Sequence, residues 1–421
     1  MMTTSSIYVH LQRPDNGDWV LVGRYSLQRA DNIQPAGSFM YAPSYLDAKH
    51  PWVIDPINLP RLDSVAYPAP RYEGLNDVLR DIVPDAWGKL LIQREYHLRA
   101  NAHEFDYLIH TSNTDRWGAL AVSQARQTNP SNVASPRLNQ LEDLLQELQL
   151  MASQLPAKHL ALRKRLIKAP SLGGARPKAT VQDGNSYWIA KPTVATDVNN
   201  TALLEYAAMR WGGRAGLNFA ESRLHQDAAR TTVLIKRFDR DGMQRHMVLS
   251  GALLLEAEYP IGHVNGQRNQ VRYSYSFLAQ SLRRIGVPLE DLNLLYGRMI
   301  FNILCGNDDD HPRNHAVIWT QSEKRWRLSP AFDVVPNVDF SPSQLAMQIS
   351  LGNWTINREN LLADWRFFGF TSLEMAVAYI ENITNQIVIE SKGLEADGLS
   401  VRQASQLREQ MHLKLSKILP A

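Results

Sequence analysis

A chain of 421 residues exceeds what one hydrophobic core usually organises, so two or three domains are expected. With 44% hydrophobic and 21% charged residues, the composition is that of a soluble folded protein and excludes a disordered or fibrous one. A net charge of +3 permits contact with nucleic acid or acidic proteins without arguing for either, and the single cysteine, Cys305, excludes an internal disulfide.

Met1 to Ser6 carry no basic region followed by an apolar stretch, so the start does not read as a signal peptide. No apolar run is long enough to span a bilayer, and a cytoplasmic location is expected. Strand-like stretches come first, Ile7 to Leu11 and Trp19 to Tyr25, joined by a turn at Asp15-Asn16-Gly17. A polar, proline-containing excursion is expected from there to about Arg71. Gly74 to Tyr96 reads as helical, with Leu75, Val78, Leu79 and Ile82 at helical spacing until Pro84 interrupts. Trp117 to Val122 reads as a strand that closes this first, α+β part.

Residues 127–136 have the composition of a linker. Leucines then recur at three and four positions from Leu138 to Leu150, an amphipathic helix. Next comes Ser171-Leu172-Gly173-Gly174-Ala175-Arg176-Pro177-Lys178. Paired glycines let backbone N–H groups approach phosphate oxygens, and Arg176 and Lys178 supply positive charge. A hairpin follows, Ala179 to Val181 with Tyr187 to Lys191 around Asp183-Gly184-Asn185. Lys191 ends an otherwise apolar strand, where an unpaired ammonium is costly and a nucleotide phosphate is a natural partner. The helix Thr201 to Trp211 carries Glu205, which could hold that lysine or simply lie on the helix surface. The strand Thr231 to Phe238 sits where a hinge between two lobes would lie; its backbone at Lys236 could meet an adenine, with Phe238 packed nearby.

Beyond Ser276 the chain is expected to be mainly helical. Within it, Gly306 to His315 (Gly-Asn-Asp-Asp-Asp-His-Pro-Arg-Asn-His) places three acids and two histidines beside the apolar Ile300, Phe301, Ile303 and Leu304. Such charge next to a core segment is costly unless it faces a cleft, a cation or a substrate. Strands Val317 to Thr320 and Arg325 to Leu328 can pair across Gln321-Ser322-Glu323-Lys324, which would bring Asn314 beside Asp333. An amide oxygen and a carboxylate together suit Mg²⁺. Asp309 precedes Asn314 by five positions, the spacing of the catalytic Asp and metal-binding Asn of protein kinases, where a second metal-binding Asp follows. That spacing selects Asp309 over Asp308 and Asp310, which are left to support the loop or remain solvated. His311 is expected to support the loop or touch nucleotide, and His315 to be a packed histidine. The division expected is 1–130, an α+β N-terminal domain; 131–255, a strand-rich lobe with the glycine loop and hinge; and 256–421, a helical lobe.

These blocks together resemble the HipA family of bacterial serine/threonine kinases, the toxins of toxin–antitoxin modules. The resemblance is carried by Val83-Pro84-Asp85-Ala86-Trp87-Gly88-Lys89, Asp115-Arg116-Trp117-Gly118-Ala119-Leu120, Ser171 to Lys178, and Trp188-Ile189-Ala190-Lys191-Pro192. It continues through Lys236-Arg237-Phe238-Asp239-Arg240, Asp309 to Asn314, and Leu328-Ser329-Pro330-Ala331-Phe332-Asp333. It implies a bilobal, kinase-like α+β fold and an ATP- and Mg²⁺-dependent kinase. In it Asp309 is the catalytic acid, Asn314 and Asp333 the metal ligands, Lys191 the phosphate lysine, and Ser171 the site of autophosphorylation. It also implies a HipB-like helix-turn-helix antitoxin, DNA contact through that complex, and a protein substrate such as an aminoacyl-tRNA synthetase. One departure is Lys236, which stands where some members have an acidic hinge residue. The alternatives are a small-molecule kinase on the same scaffold, a catalytically silent repressor subunit, and a metallohydrolase that would leave the glycine loop and Lys191 unexplained.

Overall fold

The structure, a computed structural model, describes residues 2–30, 33–127, 134–169, 174, 176–194, 196–227, 230–258 and 271–419. It is α+β and divides into two compact units. One contains Met1–Val194 with Arg237–Leu249, the other Ala195–Lys236 with Ser250–Ala421.

The first unit begins with a five-stranded sheet in the order Tyr67–Pro68, Ile33–Tyr41, Trp19–Ala30, Thr3–Gln12, Leu120–Ser123. Period-two alternation sends Ile7, Val9, Leu11, Tyr25 and Leu27 to buried positions. The expected first two strands are present and longer than the apolar runs suggest, in antiparallel register Ile7↔Tyr25. The stretch expected to be an excursion is corrected here: Ile33–Tyr41 is a strand paired Tyr25↔Phe39 and Gly23↔Tyr41. Pro35 and Gly37 hide its alternation, while Phe39 and Tyr41 bury against the core regardless. The helical stretch from Gly74 is split at Pro84 into Asp77–Asp81 and Ala86–Glu95. Helix Leu141–Ala152 buries Leu141, Leu144, Leu145, Leu148 and Met151 along one stripe.

Two of the sequence blocks meet in this unit as a buried ion cluster. The carboxylate of Asp239 accepts from Arg237 Nη2 at 2.8 Å, Arg240 Nη1 at 2.7 Å and the Gly118 amide at 2.9 Å. Burial opposes the charged form of Asp239, but the two guanidinium groups outweigh it and hold the carboxyl well below the usual range. Arg116, fully buried, donates to the carbonyls of Ile82, Leu108 and Thr111 at 2.9, 2.6 and 2.6 Å. Asp115 to Gly118 and Arg237 to Arg240 are therefore one structural device.

The second unit is built around helix Leu289–Cys305, buried almost all round, as expected for a central core helix. Its Phe301 meets Trp211 edge-on at 5.1 Å, and Tyr296 packs on Phe368 at 4.7 Å. Helices Thr201–Arg214, Tyr275–Arg284, Leu373–Glu390 and Val401–Ile418 surround it, with a hairpin of Ser222–Gln226 and Thr231–Lys236. Among the described residues no helix is long and apolar enough to cross a membrane.

Candidate active site

Helix Leu289–Cys305 stops because Gly306 turns left-handed (φ 80°, ψ 29°), a conformation that glycine adopts without a Cβ penalty. The amides of Gly306 and Asn307 both donate to the Asn302 carbonyl, at 3.1 and 3.0 Å. From this closed end the three acids separate into three environments. Asp308 accepts from Asn337 Nδ2 at 3.1 Å. Asp309 is exposed. Asp310 is buried and accepts at one oxygen from the Tyr275 hydroxyl and from His315 Nε2, the latter at 3.1 Å. The cost of placing a carboxylate beside the core is thus met, for Asp310, by internal donors.

After Asp310 the loop closes on itself. His311 N donates to the Asp309 carbonyl at 2.9 Å, a single turn Pro312–Asn314 follows, and Asn314 Nδ2 donates back to the same carbonyl at 3.1 Å. That bond uses the nitrogen end of the amide and turns Asn314 Oδ1 away from it. The hairpin Ala316–Thr320 with Arg325–Leu328 pairs Val317↔Leu328 through Thr320↔Arg325, and a further bond from Ser329 N to Ala316 O extends it by one rung. Ala331 then bridges to Phe219, and Asp333 adopts φ 60°. A non-glycine residue there costs roughly 1–2 kcal/mol, which Asp and Asn tolerate best.

Asp333 is near enough to act on Asp309. The Asp309 carboxyl is raised above its ordinary pKa, first by the protein crowded around it and then by the charges of Asp333 and Asp308, with His311 opposing. The structure therefore brings Asp309, Asn314 and Asp333 together.

The segment bearing Asp333 is tied to the core helix by Arg298. Its guanidinium is buried and donates to the carbonyls of Leu217, Ser329 and Asn218 at 2.9, 2.8 and 2.8 Å. Burial lowers its pKa to about 9. From the other side, Gly251 N donates to His315 O at 2.7 Å, and a Cβ on Gly251 would lie 2.5 Å from the Pro312 carbonyl oxygen. Neither residue was singled out from the sequence. Arg298 left a signal, one charge inside an apolar helical run; Gly251 left none.

The remaining expected residues are distributed as follows. Ser171, Gly173 and Ala175 lie outside the described residues. In the first unit Gly174 has φ 73° and its carbonyl accepts from Trp87 N at 3.4 Å, which links the glycine loop to the Val83 to Lys89 block. Lys178 is buried, while Arg176 and Lys191 are half-buried. Lys191 lies on Ser186–Pro192, which pairs with Ala179–Asp183 in the register Ala179↔Ala190 to Asp183↔Ser186. Phe238 packs edge-on against Trp117 at 6.5 Å. In the second unit Glu205 is buried on its helix, and Lys236 ends its strand with Nζ 2.9 Å from Glu221. His311 is half-buried.

Over nearly the whole chain the fold is that of a toxin–antitoxin HipA. The Shewanella oneidensis HipA, solved with HipB and its operator DNA, superimposes with a TM-score of 0.67 at 15% identity, covering 98% of this chain and 96% of that one. The family model of the HipA-like C-terminal domain matches residues 170–392, over half of the chain, and the protein belongs to the HipA family. A Haemophilus influenzae protein named "Putative kinase" is 30% identical over 163 residues, 37% of this chain. The match spans 46% of that curated relative's length. The Helicobacter pylori proinflammatory kinase CtkA aligns over 59% of this chain and 90% of its own at 17% identity, with a TM-score of 0.44 that carries no weight for the fold.

Proposed function

We propose that this protein is a HipA-type kinase that transfers the γ-phosphoryl group of ATP, with Mg²⁺, to serine or threonine hydroxyls of a protein. The observation that carries the reading is the convergence of Asp309, Asn314 and Asp333 on one loop and its hairpin, at kinase spacing. Asp309 is exposed and lies near the charge of Asp333, so it can accept the proton of an incoming hydroxyl. Asn314 Oδ1 and the Asp333 carboxylate are hard oxygen donors of the kind Mg²⁺ prefers, and the nitrogen of that amide is already engaged. Bound Mg-ATP supplies the phosphoryl group and the charge neutralisation.

In the same reading Lys191, Arg176 and Lys178 balance phosphate charge, with Gly173, Gly174 and Ala175 presenting backbone amides. Lys236, Phe238 and His311 serve the nucleotide, and Glu205 has a supporting role. Ser171 is the autophosphorylation site: a dianion in a phosphate loop competes with ATP for the same donors. The Shewanella relative was solved with HipB and operator DNA. We extend that here to a HipB-like antitoxin, DNA contact through it, and toxicity by phosphorylation of a translation protein such as an aminoacyl-tRNA synthetase.

The test is incubation with labelled ATP and host lysate, wild type against Asp309→Gln. Label on a protein in the wild type only, with ATP binding retained by the variant, is the expected result. Undiminished transfer by Asp309→Gln removes the assignment, and label confined to metabolites makes the enzyme a small-molecule kinase.

A further inference from the structure

Beneath the acidic loop runs a chain of hydrogen bonds that the roles above do not use. Asn307 Nδ2 donates to Asn302 Oδ1 at 3.1 Å, and Asn302 Nδ2 donates to the Tyr275 hydroxyl at 3.0 Å. That hydroxyl donates to Asp310 Oδ2, which also receives His315 Nε2 at 3.1 Å. All five side chains are buried. Each donor points toward the one carboxylate, so the polarisation runs in a single direction and the bonds reinforce one another in a low-dielectric setting. The chain joins the two ends of the loop, Asn307 and His315, through residues of two helices, Tyr275–Arg284 and Leu289–Cys305. Asp309 is the neighbour of the anchored Asp310, and Asn314 the neighbour of the anchored His315.

Tyr275 is the hub. Its ring is fully buried and meets His315 edge-on at 5.4 Å, its amide donates to Gln348 O at 3.1 Å, and its hydroxyl alone connects Asn302 to Asp310. A buried aromatic that only filled space would be served as well by phenylalanine. Here the hydroxyl is both acceptor and donor, and its loss leaves Asn302 and Asp310 each short of a partner.

We propose that Tyr275 is a positioning residue for phosphoryl transfer, fixing Asp309 and Asn314 through Asp310 and His315. The inference rests on the kinase reading above. It makes the entry to helix Tyr275–Arg284, more than thirty positions before Asp309, part of the catalytic apparatus.

Tyr275→Phe keeps the ring and removes only the hydroxyl. Expected is a fall in kcat of about tenfold or more, with KM for ATP within about twofold of wild type and an unfolding temperature well above that of the assay. A purely structural role would lower the unfolding temperature and leave kcat of the folded fraction alone. Asn302→Leu, which breaks the chain one link earlier, should show the same split in kcat against KM. Wild-type kcat in folded Tyr275→Phe overturns the proposal, and so does failure of both variants to fold. Wild type and Asp309→Gln run alongside separate the two levels: if wild type transfers no phosphate, it is the kinase reading that falls.

Discussion

Gly251→Ala is the sharpest test of how tightly the acidic loop is held. Position 251 opens the short helix Gly251–Leu254, whose cap, Ser250 Oγ, accepts from Leu253 N at 3.1 Å. An added Cβ would sit 2.5 Å from Pro312 O and 3.0 Å from His315 Cβ. Carbon and carbonyl oxygen normally stay about 3.3 Å apart, so roughly 0.8 Å must be found. The glycine cannot retreat without breaking its 2.7 Å bond to His315 O, so the turn carrying Asn314 must move. Overpacking of this kind costs about 1–3 kcal/mol, and the helical preference of alanine over glycine returns roughly 0.5–1 kcal/mol. A net loss of up to about 2.5 kcal/mol is therefore expected in denaturant unfolding. The loss in activity should be larger than stability alone explains, because displacements near 1 Å at a reacting group cost on the order of a hundredfold. Measured as phosphate transfer per folded enzyme, kcat should fall between about tenfold and a hundredfold. A variant of wild-type stability and wild-type kcat would show that the turn is soft and that this geometry does not set the rate.

Two further predictions concern stability. Arg298→Met removes the donor to the carbonyls of Leu217 and Ser329, while Asn218 O keeps the Ala331 amide, and should cost on the order of 3 kcal/mol, read from the urea midpoint; an unchanged midpoint would mean that those carbonyls find other partners. Lys414 is buried behind Gly306, its amine pushed down to about 8 from 10.5 chiefly by burial, with Cys305 and Asp308 opposing and Lys417 adding. The unfolded chain then binds more protons between pH 8 and 10.5, so this residue makes stability rise with pH across that window and costs it below. A lowering of this size corresponds to roughly 3 kcal/mol. Lys414→Met should accordingly be more stable than wild type at pH 7 and lose that advantage by pH 10; lower stability at pH 7 would show that the charge is compensated.

What could be read from the sequence follows a physical rule. The acidic box, its hairpin and Asp333 were legible because each is local: a spacing of five, two short alternating runs, a turn between them. The strand Ile33–Tyr41 was not, because Pro35 and Gly37 erase the local signal while the neighbouring strands supply the pairing. Tyr275, Gly251 and Arg298 were missed for the same reason. Their contributions are made across distances in sequence of tens of residues, and only Arg298, a charge inside an apolar run, carries a local mark. The blocks Asp115 to Gly118 and Arg237 to Arg240 were visible as pattern, but their purpose, a shared buried ion cluster on Asp239, exists only in three dimensions.

The three consecutive acids show why such local and distant information must combine. Three carboxylates in a row repel, and the repulsion is greatest if all three face the same way. The fold separates them: Asp308 takes an amide, Asp310 takes a phenol and an imidazole, and Asp309 is left facing outward. Only the last is free to meet a substrate, and its proton affinity is raised, chiefly by the protein around it, with His311 opposing and Asp333 and Asp308 adding. A carboxylate with raised affinity is a better base, and one with partners on all sides is no base at all. The choice of Asp309 thus depends as much on what Tyr275, His315 and Asn337 do for its neighbours as on its own distance from Asn314.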